Sequence, residues 1–253
     1  MTPLAVLVLA AGKGKRMHSD LPKVLHPFAG TTIIEHLLSA ISSLNANPTI
    51  VVVGHQAELV KKTLQRYEVG FVDQFEQLGT GHAVMQAKNV LLGFEGTLMV
   101  LVGDVPLLTE ATLAAFFSHH LDSGAACTIL TTRLADPSGY GRIFRGPDQE
   151  VQAIVEHKDA TPEQLAIREI NSGIMAFQTG PLWTHISDLE PANVQAEYYL
   201  TDLVGIFRGA GLKVSAWCVE NEWEVQGVNS PEQLAALERI FNTRAQPDQP
   251  KSD

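Results

Sequence analysis

Cysteine is nearly absent from this chain of 253 residues: only Cys127 and Cys218 occur, in apolar strand-like runs with no CxxC spacing. That excludes a disulfide scaffold and a cysteine zinc site, and leads to the expectation of two buried thiols in a reducing compartment. Long apolar runs are also missing. No run approaches membrane-spanning length, and no basic segment leads into an apolar core at the N-terminus, so the expected location is the cytoplasm. Positive charge is in deficit, 18 Lys and Arg against 28 Asp and Glu, for a formal net charge of -10. This balance excludes a general nucleic-acid or membrane binder. Nine histidines are present, but no pair has zinc-ligand spacing.

Against that acidic background one basic cluster stands out. The stretch LVLAAGKGKRMHSDLPK places Gly12 and Gly14 after an apolar run and follows them with Lys13, Lys15, Arg16 and Lys23. Glycines let backbone amides approach an anion, and grouped amides form a concavity for it. A dinucleotide loop needs few cations, because one pyrophosphate rests on a helix N-terminus. Interleaved Lys and Arg instead suit a triphosphate whose charge must be held during transfer. Pro22 restricts the backbone directly before Lys23 and favours a positioned lysine.

The rest of the chain alternates. Apolar strand patterns at 4–9, 49–53, 69–72, 97–102 and 126–131 are separated by helical patterns at 33–44, 58–66, 82–92 and 110–121. Such alternation predicts an α/β fold, a mainly parallel sheet with helices on both faces. From about residue 139 shorter strands at 142–145, 151–155 and 174–177 predict a β-rich meander covering a ligand. Thr161-Pro162-Glu163-Gln164 and Ser230-Pro231-Glu232-Gln233 each read as a capped helix start with Pro at the first position. The second opens a helix with a stripe of Leu234, Leu237, Ile240 and Phe241; residues 246–253 carry two prolines and no apolar side chain, and are expected to be disordered.

A second motif, Val102-Gly103-Asp104-Val105-Pro106, ends the fourth strand pattern. In open α/β sheets the ligand crevice lies beyond the carboxyl ends of the strands, so Asp104 is placed to reach a metal. Mg²⁺ takes few protein oxygens and completes its shell with phosphates and water, so one further protein ligand suffices.

These two motifs, LAAGKGKRM…LPK with VGDVPLL, resemble the sugar-1-phosphate nucleotidylyltransferases. Glu76-Gln77-Leu78-Gly79-Thr80-Gly81-His82-Ala83, Gly139-Tyr140-Gly141-Arg142-Ile143, Ile154-Val155-Glu156-His157-Lys158-Asp159-Ala160, Glu169-Ile170-Asn171-Ser172-Gly173-Ile174, Glu197-Tyr198-Tyr199-Leu200-Thr201-Asp202 and Gly227-Val228-Asn229 follow in order. Together they are similar to the uridylyltransferase domain of bacterial bifunctional N-acetylglucosamine-1-phosphate uridylyltransferase/glucosamine-1-phosphate acetyltransferase, over residues 4–241.

The resemblance implies a Rossmann-like nucleotide-diphospho-sugar transferase fold over 1–229, with 230–245 a helix packed on or extending from it. It implies Mg²⁺-dependent transfer of UMP from UTP to N-acetylglucosamine 1-phosphate, yielding pyrophosphate and UDP-N-acetylglucosamine, a peptidoglycan and cell-wall precursor. Leu9, Ala10, Ala11, Gly12 and Gly14 would hold the nucleotide, Arg16 the charge on departing pyrophosphate, and Lys23 a phosphate. Gln74 and Gly79 would read the uracil edge beside Thr80, Asp104 and Asn229 would bind Mg²⁺, and Gly141, Glu156, Asn171 and Thr201 would surround the sugar phosphate. Glu156 reads as a hydrogen-bond acceptor rather than a base, because a sugar phosphate is already an anionic nucleophile.

Departures from the family are small in the site: Val102 stands where an aromatic is frequent, and Phe75 and Ser172 replace smaller or homologous residues. The family's hexapeptide-repeat acetyltransferase β-helix has no counterpart in these residues, so no acetyl transfer and a monomer or weak dimer are expected. Three other readings stay open. A sister transferase with another sugar or base is disfavoured by the Glu156 and Asn171 region. A dinucleotide oxidoreductase is disfavoured by the basic loop and the lack of an acidic residue near 30–34. A non-catalytic nucleotide-sugar binder is disfavoured by intact Arg16, Lys23, Asp104 and Asn229.

Overall fold

The computed structural model describes residues 2–245. The expectation of disorder for 246–253 lies outside the described residues.

Apolar runs form the strands at the centre. β1 (Leu4–Leu9) continues through a short hairpin, β2 (Pro27–Phe28) and β3 (Thr31–Thr32), to helix α1 (Ile33–Ile41). Then follow β4 (Thr49–Val53), α2 (Ala57–Thr63), β5 (Gly70–Asp73), α3 (Thr80–Gln86), β6 (Thr97–Val102), α4 (Glu110–Ser123) and β7 (Cys127–Arg133). The second half holds β8 (Arg142–Arg145), β9 (Val151–Val155), α5 (Pro162–Leu165), β10 (Glu169–Gln178), α6 (Thr179–His185), α7 (Leu203–Gly209), β11 (Val214–Cys218) and α8 (Pro231–Ala245).

The main sheet runs β11-β7-β10-β6-β1-β4-β5, with β8 and β9 hooked on beside β10. β1 pairs in parallel with both β4 and β6, so the strand order reverses there, and the crevice at this switch point is the ligand position of an open α/β sheet. Both faces of these strands are buried. Ala5, Leu7, Leu98 and Val100 enter one apolar core with residues of α3, α6 and α7; Val6, Val8, Met99 and Leu101 enter a second with α1, α2 and α4. Period-two alternation here serves two interiors, which is why the runs are continuously apolar.

The helices are set by legible ends. Thr109 Oγ1 accepts from the Thr112 amide at 3.2 Å to start α4, and Gly124 at φ 61 closes it. α1 starts where Glu35 Oε2 accepts from the Thr32 amide at 2.9 Å. It is shorter than the pattern at 33–44 predicts, because residues 42–44 tighten into a 3₁₀ turn that ends at Asn45, φ 52. Likewise 58–66 and 82–92 shrink to α2 and α3, whose apolar faces are short.

Three expectations are corrected. The predicted strand at 174–177 is the far end of β10, which begins at Glu169 and runs antiparallel between β6 and β7 in the middle of the sheet. Only β8 and β9 form the added ribbon. Cys127 is buried, but Cys218 is exposed at the end of β11, the outermost strand on its side, so one of the two expected buried thiols faces outward.

α8 packs through Leu234, Leu237, Ile240 and Phe241 onto Met17, Phe28, Ile33, Leu107 and Val228. The carboxylate of Glu238 accepts from the Ala29 amide at 2.9 Å. No described helix is long and apolar enough to cross a membrane.

Candidate active site

Two adjoining hollows of about 270 and 200 Å³ open at the carboxyl ends of β1 and β6 and share Leu9, Thr80 and Val102. The first is lined by Leu9, Ala10, Ala11, Gly12, Lys23, Gln74, Gly79, Thr80 and Asp104. The second is lined by Gly141, Glu156, Asn171 and Thr201. The expected nucleotide and sugar residues, more than one hundred positions apart at the extremes, therefore meet in one cleft.

Lys23 and Asp104, which line the first hollow, form a three-residue polar cluster with Asn229. Lys23 Nζ is paired with Asp104 Oδ2 and donates to Asn229 Oδ1 at 3.1 Å. Pro22 leads into the 3₁₀ turn that carries Lys23, and Gly14 packs so closely on it that an added Cβ would lie 2.7 Å from Lys23 Cβ. Asp104 and Asn229 come from distant segments that the Val228 amide joins by donating to the Asp104 carbonyl at 2.9 Å. The Asn229 amide donates to Gln233 Oε1 at 2.8 Å, while Ser230 Oγ caps the Gln233 amide at 3.3 Å. In the α5 start Gln164 instead returns to its own cap, Thr161, at 2.8 Å. The start of α8 thus clamps Asn229 rather than closing a reciprocal box.

The donor set fits a divalent cation of the Mg²⁺ type. A carboxylate and an amide oxygen already converge on one positive group, and hard cations take oxygen ligands of this kind. Among the described residues no group of three or more His, Cys, Asp or Glu is arranged to hold a metal, so most of the shell would come from phosphate and water.

Arg16 takes a different place from Lys23. It is exposed on the 3₁₀ turn Lys15–Met17, outside the nucleotide hollow, and lines a third hollow with Gly139, Glu156, His157, Lys158 and Gln195. It shares this hollow with Glu156 and Gly139, both of which also line the second hollow. Lys13, Lys15 and Arg16 have no side-chain hydrogen bond or ion pair among the described residues.

The end of the first hollow at Gln74, Gly79 and Thr80 is more tightly held. Gln74, 3% exposed, donates through Nε2 to the Gly79 carbonyl at 3.1 Å and lies 3.1 Å from His82 Nδ1. Gly79 sits at φ +109, and an added Cβ would lie 2.6 Å from the Tyr198 carbonyl, so only glycine fits. The Gly81 amide donates to that carbonyl at 2.8 Å, and Thr80 Oγ1 accepts from the Leu200 amide at 3.1 Å.

The wall of the second hollow is polar, with Asn171 and Thr201 buried and Glu156 half-buried. Burial pushes the Glu156 carboxyl above the usual carboxylate range; a hydrogen bond from Thr201 at 3.3 Å opposes this, and Asp159 and Asp202 add to it. Asn171 is 7% exposed and its Oδ1 accepts from the Gly173 amide at 3.0 Å. Pairing of β10 with β7 shifts register between Asn171 and Met175, so a bulge turns Asn171 toward the cleft. Gly173, at φ +82, makes the bulge possible; an added Cβ would lie 2.9 Å from Val102 Cγ1. Val102, where an aromatic is frequent, thus sits under this bulge.

Sequence reading missed three contributors. Tyr140 is pushed up by burial; a hydrogen bond with the Gly227 backbone opposes this, and the charges of Asp104 and Arg16 act on it in opposite directions. Arg142, 2% exposed, donates to the Tyr140 carbonyl and fastens the 139–141 loop from beneath. Glu197 lines the nucleotide hollow. Position within the Gly139-Tyr140-Gly141-Arg142 motif was the available signal for the first two, and the first place in the Glu197-Tyr198-Tyr199-Leu200-Thr201-Asp202 motif was the signal for Glu197.

A glycine-cation loop, an oxygen pair at the strand switch point and an adjoining polar wall define an α/β nucleotidyltransferase. Residues 6–165 match the family model of the MobA-like NTP transferase domain, and the chain belongs to that family. It is 45% identical over 249 residues to "Bifunctional protein GlmU" of Pelobacter propionicus, covering 98% of this chain and 54% of that protein. Proteins of the same name from Dechloromonas aromatica (48% over 234 residues, 92% of this chain and 51% of theirs) and Streptococcus suis (45% over 238 residues, 94% and 52%) are comparably similar. The chain spans about half the length of the curated relatives it matches.

Proposed function

We propose that the chain transfers UMP from UTP to N-acetylglucosamine 1-phosphate, releasing pyrophosphate and forming UDP-N-acetylglucosamine, with Mg²⁺. The observation that carries this is the junction of the two hollows at Leu9, Thr80 and Val102, beside Asp104 and its two partners. A phosphate of a ligand in either hollow would meet there.

In this reading the sugar-phosphate oxygen attacks the α-phosphorus of UTP in line, and pyrophosphate leaves. The nucleophile is already anionic, so the protein supplies position and charge. Gly12, Gly14 and the Leu9–Ala11 backbone seat the nucleotide; Arg16 and Lys23 stabilise the negative charge. Gln74, Gly79 and Thr80 hold the base. Gly141, Glu156, Asn171 and Thr201 orient the sugar, with Glu156 accepting from a hydroxyl. Asp104 and Asn229 hold Mg²⁺, which when bound neutralises phosphate charge.

A matrix of nucleoside triphosphates against sugar 1-phosphates, read by pyrophosphate release, tests the reading. Turnover should be greatest for UTP with N-acetylglucosamine 1-phosphate. A clear preference for another pair would replace it with the sister-transferase reading.

A further inference from the structure

Gln74, His82 and Gln86 form a chain of hydrogen bonds running from the nucleotide hollow into α3. Gln74 Nε2 is 3.1 Å from both the Gly79 carbonyl and His82 Nδ1, and Gln86 lies 3.0 Å from His82 Nε2. The Gly79 carbonyl can only accept, so it is the amide nitrogen of Gln74 that faces it. The second hydrogen of that nitrogen then points at His82 Nδ1, which must accept. A neutral imidazole with an accepting Nδ1 carries its hydrogen on Nε2. Gln86 must then turn end for end to present its carbonyl to that hydrogen, giving up the contact of its Nε2 with the His82 backbone carbonyl, which at 3.3 Å is longer than the 3.1 Å bond that fixes Gln74.

Both hydrogens of the Gln74 amide are spent inside the protein, leaving only Oε1 to face a ligand. We infer that His82, in its Nε2–H tautomer, is a specificity-determining residue that keeps Gln74 an acceptor-only reader of the base. This rests on the proposed uridylyl transfer and extends it. Uracil offers an imide N3–H donor to such a carbonyl, whereas cytosine presents an N3 lone pair at the same place. A pocket that pairs a ligand N–H with a buried acceptor rejects the analogue lacking it, because the acceptor is left unpaired. His82 touches no substrate in this scheme; it acts through Gln74. Its ring is held by the Tyr198 ring, centroids 6.3 Å apart, and by the Gly79–Gly81 backbone tied to the same residue.

His82→Phe removes the acceptor and frees one hydrogen of Gln74 to turn toward the base, while keeping a flat ring. The wild-type ratio of kcat/KM for UTP over CTP should fall at least tenfold in this variant, with KM for the sugar phosphate within about twofold of wild type. His82→Gln, which can offer a carbonyl to Gln74, should restore part of the ratio. Equal losses for UTP and CTP would show a merely structural role and overturn the inference. A wild type that does not prefer UTP would overturn the uridylyl reading itself, which separates the two failures. Should the variants not fold, ¹⁵N NMR of the wild-type imidazole decides: Nε2–H supports the relay, and Nδ1–H overturns it.

Discussion

The two sides of the cleft are held in different ways. On the nucleotide side the basic loop is exposed backbone, and Lys13, Lys15 and Arg16 reach outward without a side-chain partner among the described residues. Across the cleft, Asn171 and Thr201 are buried in β10 and the turn before α7, and Glu156 is half-buried just after β9, with hydrogen bonds already made inside the protein. One side is positively charged and adaptable; the other is polar, buried and preset. A loop with few apolar contacts and free cations is low in local stability, and a charged ligand supplies the missing partners. A wall of polar groups already paired inside the protein carries its desolvation cost in the empty protein, and under the proposed reading it would select the sugar part of a sugar phosphate by fit. Under the proposed reading, charge stabilisation and specificity fall to opposite sides.

The largest expected effect tests the exposed side. Arg16→Ala should lower kcat by at least about 10²-fold, the scale for one charge-stabilising donor. Because Arg16 is exposed and unpaired, melting temperature should not change. Loss of stability together with activity would mean that the loop is preset like the other wall. Asp104→Ala or Asn229→Ala should remove most Mg²⁺-dependent turnover, and titration with Mn²⁺ followed by electron paramagnetic resonance should show weaker binding in both.

Next comes the bulge. Gly173→Ala places a methyl 2.9 Å from Val102 Cγ1 at φ +82 and should destabilise the protein by ~1–3 kcal/mol. It should also raise KM for the sugar phosphate, because Asn171 is displaced; urea unfolding and steady-state kinetics check both.

A third expectation uses the core as a control. His120 is 2% exposed, with Nδ1 2.8 Å from Thr128 Oγ1, and burial holds it neutral down to about 4. Its folded value lies below the unfolded one, so its stability is fully present above pH 6.5 and is lost as pH falls from there toward 4. That loss is ~3 kcal/mol at most. His120→Gln should flatten the fall in unfolding free energy between those limits; an unchanged slope would assign the acid sensitivity elsewhere.

The smallest effect is the sharpest on the comparison. Glu156 is raised by burial, so its contribution favours the fold below its unfolded value and is lost as pH rises through the folded one. Glu156→Gln should therefore raise melting temperature at neutral pH, by an amount that vanishes in acid, while raising the sugar-phosphate KM ~10-fold. An unaltered KM would remove Glu156 from the sugar wall.

Local chemistry made much of this legible in the chain. Continuous apolar runs marked β1, β4 and β6, since strands buried on both faces tolerate no polar alternation. Glycine with lysine and arginine marked the phosphate loop, and Gly103-Asp104 marked the strand end. Each of these signals lies within a few neighbouring residues.

What tertiary structure alone decided is which distant groups meet. β10 was legible only at its far end, because polar Glu169, Asn171 and Ser172 hide a strand whose polar atoms are satisfied by Thr131, Arg145, Gly173 and the Leu130 carbonyl. Cys218 sits in an apolar run yet is exposed, because β11 lies at the outer end of the sheet. Lys23, Asp104 and Asn229 form one ion site only because β1, β6 and the start of α8 converge at the switch point. Spacing along a chain records what neighbouring residues require of the backbone; it does not record the partner that a buried charge or amide acquires across the fold.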